Sequence, residues 1–83
     1  MRLKEWRLTQ VKTLGEMGAL LGIDSARTYQ RYEDGENRAD AHIIERIRSV
    51  TNNDVAVIDM HLQRLEWLRA NRPDLFAEVS ASE

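Results

Sequence analysis

Apolar residues recur along this chain at helical spacing from near its start to Pro73. Leu3, Trp6 and Arg7 fall on an i, i+3, i+4 stripe that predicts a first helix over residues 2–10. Thr13 with Glu16 three residues later is a capping-box pattern, and Leu14, Met17 and Leu21 line the second helix it would open. Gly22 stands where such a helix ends in a left-handed residue. Gly15 and Gly18 each cost up to about 1 kcal/mol against Ala inside a helix. That cost predicts close backbone packing, of Gly18 against the next helix above all. Ser25 caps a third helix over residues 26–33 that stops at Gly35. Asp40 caps a fourth, with Ile43, Ile44, Ile47 and Val50 inward at a 3.6-residue period. Thr51-Asn52-Asn53-Asp54 reads as a loop. A fifth helix is expected over 59–71, with Leu62, Leu65 and Leu68 aligned and Pro73 as its stop. No segment reads as a strand, so the predicted class is all-α, a bundle of about five helices.

Residues 14–35 are the most informative stretch. Two short helices meet through a Gly-containing turn, and the second carries Arg27, Gln30 and Arg31 on one side. That is the outline of a helix-turn-helix. Arg and Gln are side chains that can pair with base edges in a major groove. Tyr29 and Tyr32, at their spacings, are expected in the core and at its edge.

Composition narrows the class. The chain has 83 residues, 42% hydrophobic and 31% charged, which suits one folded domain and is too apolar for wholesale disorder. It has no cysteine, so disulfides and zinc–thiolate sites are excluded. There is no run of eighteen apolar residues and no apolar signal core near Met1, which predicts a cytoplasmic chain without membrane contact. With no staple available, a homodimer is expected to add stability. The expected organisation is a helix-turn-helix core over 1–58, a core-completing helix over 59–76, and a disordered tail over 77–83. Trp67 with Leu62, Leu65 and Leu68 would serve both the core and a dimer seam.

Charge qualifies this picture. A net charge of −2 is not the basic footprint of a nucleic-acid binder. Its distribution is uneven, however. Residues 1–31 hold six Lys/Arg against three acids, whereas residues 49–83 hold three Arg against six acids. Positive charge therefore sits where the proposed DNA face sits.

The run from Leu3 to Val50 resembles the lambda-repressor/Cro-like, or XRE, helix-turn-helix family. The matching residues are Leu3, Arg7, Thr13, Glu16, Leu21-Gly22 and the Arg31-Tyr32-Glu33-x-Gly35 ending. The later residues, with Trp67-Leu68-x-Ala70-Asn71-Arg72-Pro73, resemble small regulators encoded by prophages and integrative elements of alphaproteobacteria. The resemblance implies that Ala26, Arg27, Gln30 and Arg31 face DNA bases. It places Ser25 at the recognition-helix cap and, with Thr28 and Arg38, near phosphates. It pairs Arg7 with Glu33 as a structural bridge. Arg2, Lys4 and Lys12 complete the expected phosphate contacts. The chain departs from the family pattern at Leu14, where Gln is frequent, at Lys12, where Leu is usual, and at Ala39, where Pro is common. Its spacing from Gly22 to Gly35 is one residue longer than usual, which extends the turn around Asp24.

Other chemistry finds no support. His42 and His61 are far apart and lack metal-ligand spacing, and Glu33, Asp34, Glu36 and Asp40 do not follow a calcium-loop order. No catalytic motif is present, so neither metal, cofactor nor enzymatic activity is expected. The expected function is a sequence-specific transcriptional repressor that binds a pseudo-palindromic double-stranded DNA operator as a homodimer. The alternatives are a protein-binding use of the same fold, as in an anti-activator of a transcription factor, or an antitoxin. The acidic C-terminal third and Leu14 lean towards the first of these.

Overall fold

Every regular element in residues 1–76, the part of the chain that the computed structural model describes, is helical. The order is α1 (Leu3–Thr9), α2 (Leu14–Leu20), α3 (Ala26–Asp34), α4 (Ala41–Val50) and α5 (Val57–Asn71), and a further helical turn begins at Asp74 after Pro73. The tail expected to be disordered, 77–83, lies outside the described residues. No described helix is long and apolar enough to cross a membrane.

Local chemistry accounts for most boundaries. At the start of α2 the Thr13 N–H donates to Glu16 Oε1 (2.9 Å) and the Glu16 N–H donates to Thr13 Oγ1 (3.1 Å), the reciprocal cap expected of this pair. Three helices end in the same paired-turn form. In α2 the Ile23 N–H reaches Gly18 O (2.8 Å) and the Gly22 N–H reaches Ala19 O (3.2 Å), with Gly22 at φ +72°. In α4 the left-handed position is Asn52, and Arg48 donates to the Asn53 side chain (3.0 Å). In α1 it is Val11, at φ +52°, where a β-branched residue is strained. Buried Thr51 ties the α4–α5 loop: its hydroxyl donates to Ile47 O (2.7 Å) and accepts from the Val55 N–H (3.2 Å).

The core draws on every helix: Leu3 and Trp6, Met17 and Leu21, Tyr29, Ile43 and Ile47, then Val55 and Met60. Leu14, Ile23, Ile44 and Val50 pack around it. Of the two helical glycines, Gly18 is the one in close contact. A Cβ there would lie 3.1 Å from Ile23 O and 3.6 Å from Tyr29 Cβ, while one on Gly15 would meet almost nothing.

Three sequence expectations are corrected. Asp40 occupies the N-cap of α4, but its side chain makes no capping hydrogen bond. The fifth helix starts at Val57 rather than 59: Ala56 is its N-cap residue, and the Asp59 carboxylate reaches back from the first turn to accept the Ala56 N–H (2.9 Å). Its inward residues are Met60 and Gln63, not the Leu62, Leu65 and Leu68 stripe, whose members are all half-buried. At 3.6 residues per turn Met60, Gln63 and Trp67 share one side of α5, and Ile58, Leu62 and Leu65 lie opposite. Ile58 is correspondingly exposed.

Candidate nucleic-acid interface

α2 and α3 pack against each other more extensively than any other pair of helices. The turn between them is built by Gly22 and by Ile23, which folds inward onto the core. Ser25 then caps α3 by accepting the Thr28 N–H (3.3 Å). Tyr29 and Glu33, four residues apart, are the buried members of α3. Helical geometry therefore turns Arg27, Gln30, Arg31 and Asp34 outward together.

Arg27 and Gln30 are exposed and Arg31 is half-buried, and none of the three bonds to another described side chain. With Asp34 and Glu36 they line one shallow depression. Ala26 is exposed at the first turn of α3. Three of the four expected base-contacting residues, Arg27, Gln30 and Arg31, are thus brought to a single face, and Ala26 lies to its side. Two carboxylates, Asp34 and Glu36, share that face. Arg27 and Arg31 are donors and Asp34 is an acceptor, so the face can pair with both acceptor-bearing and donor-bearing base edges.

The expected phosphate contacts are more scattered. None of them lines the depression. Lys4 and Arg38 are exposed, Lys12 and Thr28 are half-buried, and Ser25 is exposed but engaged as the cap. Arg2 has a different task. Its guanidinium donates to Asp59 O (3.1 Å) and to Glu66 (2.7 Å), so it anchors the start of α1 on α5.

Arg7 and Glu33 form a two-pronged ion pair at 2.8 and 3.1 Å, with side chains only 12% and 2% exposed. Arg7 also donates to Lys12 O (3.1 Å), so one guanidinium holds α1, the α1–α2 turn and α3. The hydrogen bond to Glu33 raises the Arg7 pKa above its ordinary value, outweighing the effect of burial. The buried Tyr29 hydroxyl finds no hydrogen-bond partner among the described residues. Burial, followed by the neighbouring Glu33 carboxylate, pushes the pKa of Tyr29 strongly upward.

The far end of α3 is held by Gln63, Arg64 and Trp67 of α5, of which the sequence reading missed the first two. Gln63 is buried, and its side-chain oxygen accepts the Leu3 N–H (2.8 Å) while its amide nitrogen donates to Tyr32 O (3.3 Å) and Glu33 O (3.2 Å). Arg64 donates to Gly35 O (2.9 Å) and Glu36 O (2.7 Å), and its guanidinium lies 5.2 Å from the centre of the Trp67 ring. Gly35 is required twice over. It sits at φ +85°, and a Cβ on it would collide with the Gln63 backbone and crowd Trp67. Trp67 therefore packs on the end of α3, apart from the outward side of α5 where a dimer seam was expected. The one signal in the sequence was a glutamine at helical spacing from Met60.

Among the described residues no group of three metal-ligating side chains converges. No protein-family model matches the sequence, and no curated protein or solved structure matches it either.

Proposed function

We propose that this chain is a sequence-specific DNA-binding regulator, a repressor that uses α2 and α3 as a helix-turn-helix. The observation that carries the reading is the outward face of α3. Arg27, Gln30 and Arg31 stand side by side without intramolecular partners, on a helix whose inner side is pinned by Tyr29, the Arg7–Glu33 pair and Gln63. α3 would enter the major groove. Arg27 and Arg31 would each donate two hydrogen bonds to a guanine, and Gln30 would pair with an adenine. α2 would cross the backbone, with Lys4, Lys12, Thr28 and Arg38 serving phosphates. Two copies on a pseudo-palindrome, with half-sites about 34 Å apart, would cover a promoter and exclude RNA polymerase. Ile58, Leu62 and Leu65 on the outer side of α5 are the surface we assign to the twofold contact. No catalytic role is part of the proposal.

Selection of binding sites from a random duplex library, followed by gel shift, tests the reading. A twofold-symmetric consensus should emerge, and Arg31→Ala should weaken binding to it by about 1–3 kcal/mol while relaxing preference at one position of each half-site. Failure to select any consensus would overturn it. A second reading, binding of a partner protein, is favoured by Asp34 and Glu36, which would repel phosphates beside the groove face. It predicts no gel shift at all.

A further inference from the structure

A second concavity, of about 300 Å³, lies where the end of α3 and the segment after it meet α4 and the first turns of α5. That volume is within the range of small-molecule sites. Its walls are largely apolar, from Tyr32, Ala39, Ile44, Val57 and Met60. Its polar groups are Asn37, Arg38, His61 and Arg64, and no carboxylate lines it. Arg64 is committed to the carbonyls of Gly35 and Glu36. Arg38 is exposed and forms no hydrogen bond or ion pair with another described residue. The cavity thus joins an apolar body site to an unpaired guanidinium.

We propose that this cavity binds a small amphipathic carboxylate, an aryl or short alkyl acid, with its apolar body on Ile44, Val57 and Met60 and its carboxylate on Arg38. A guanidinium and a carboxylate form paired, charge-assisted hydrogen bonds. The apolar walls add burial that a bare anion could not use. His61 and Asn37 supply further donors at the same rim. On the DNA-binding reading, on which this last step rests, the acid would compete with a backbone phosphate for Arg38 and so act as an inducer.

The test needs no DNA, so its failure is distinct from failure of the DNA-binding reading. The full chain, labelled with ¹⁵N, is titrated with phenylacetate, and with phenylacetamide and inorganic phosphate at matched ionic strength. Phenylacetate should cause saturable shifts at Ala39, Ala41, Ile44 and Met60 and raise the melting temperature. Phenylacetamide should bind at least about tenfold more weakly. Arg38→Gln should weaken phenylacetate by a similar factor without changing the melting temperature of the free protein. No saturable shift with phenylacetate, or equal binding of the amide, overturns the proposal. Equal binding of phosphate at the same residues also overturns it and leaves a plain anion site.

Discussion

Replacing Gln63 by Leu is the sharpest test of how α3 is held. The side chain keeps its approximate size but loses one acceptor and one donor group, together making three hydrogen bonds. The Leu3 N–H and the Glu33 carbonyl are stranded in buried positions, whereas the Tyr32 carbonyl keeps the Gly35 N–H (3.3 Å). Each buried orphan costs about 1–3 kcal/mol. Burial of the leucine returns about 1–2 kcal/mol. A net loss of about 2–4 kcal/mol follows, which is a large part of the total stability of a domain this small. At about 4–8 °C per kcal/mol, the melting temperature followed by circular dichroism should fall by at least about 10 °C. Leu62→Gln is the matched control. Leu62 is half-buried on the other side of α5, so its exchange should cost no more than about 1 kcal/mol. A Gln63→Leu protein within about 0.5 kcal/mol of the parent, or a Leu62→Gln protein less stable than Gln63→Leu, would refute the inward face described for α5.

Four further outcomes are expected. Arg7→Ala strands the buried Glu33 carboxylate and should destabilise by about 3–5 kcal/mol in urea unfolding; an unchanged midpoint would mean the pair is not structural. Val11 is 89% exposed and left-handed, so Val11→Gly loses little burial, relieves a strain of about 1–2 kcal/mol, and should raise the melting temperature by a few degrees despite the added chain entropy; a lower value would contradict the φ of +52°. Tyr29 has a raised pKa, so its contribution is complete below the ordinary value of 10.0 and is lost as pH rises through the folded-state value. Tyr29→Phe should remove that alkaline loss and, by deleting an unpaired hydroxyl, leave neutral-pH stability unchanged or about 1 kcal/mol higher; a clear destabilisation would show that the hydroxyl is bonded. On the proposed DNA-binding reading, with Arg2 tied to α5, each protomer of the proposed dimer would offer Lys4, Lys12 and Arg38 to phosphates, so log affinity for DNA against log salt should have a slope of about −5 per dimer, and a slope near −10 would reveal a basic surface elsewhere.

The parts of this fold that were legible in the sequence are those decided within a few residues. Thr13 with Glu16, Gly22, Ser25 and Gly35 mark ends that depend on local hydrogen bonds and on φ, and the structure places each as those rules require. The outward face of α3 was legible for a related reason: once Tyr29 is inward, helical periodicity decides which side Arg27, Gln30 and Arg31 occupy. What could not be read is decided at long range. Gln63 is polar, and its reasons for burial lie 60 residues away at Leu3 and 30 away at Glu33. A hydropathy stripe therefore selects the three leucines beside it. Arg2 was misassigned in the same way, because nothing near it in sequence announces Asp59 or Glu66. These two errors share a physical origin and together change the role of α5. It is a brace and not an appendage: Arg2 and Gln63 join it to the start of α1, Gln63 joins it to the last carbonyls of α3, and Arg64 joins it to the Gly35 and Glu36 carbonyls just beyond. Any surface that α3 presents is accordingly held from behind by α5. Loosening α5 should then degrade what α3 binds before it disturbs α2, whose caps and contacts with α3 are independent of residues 57–71.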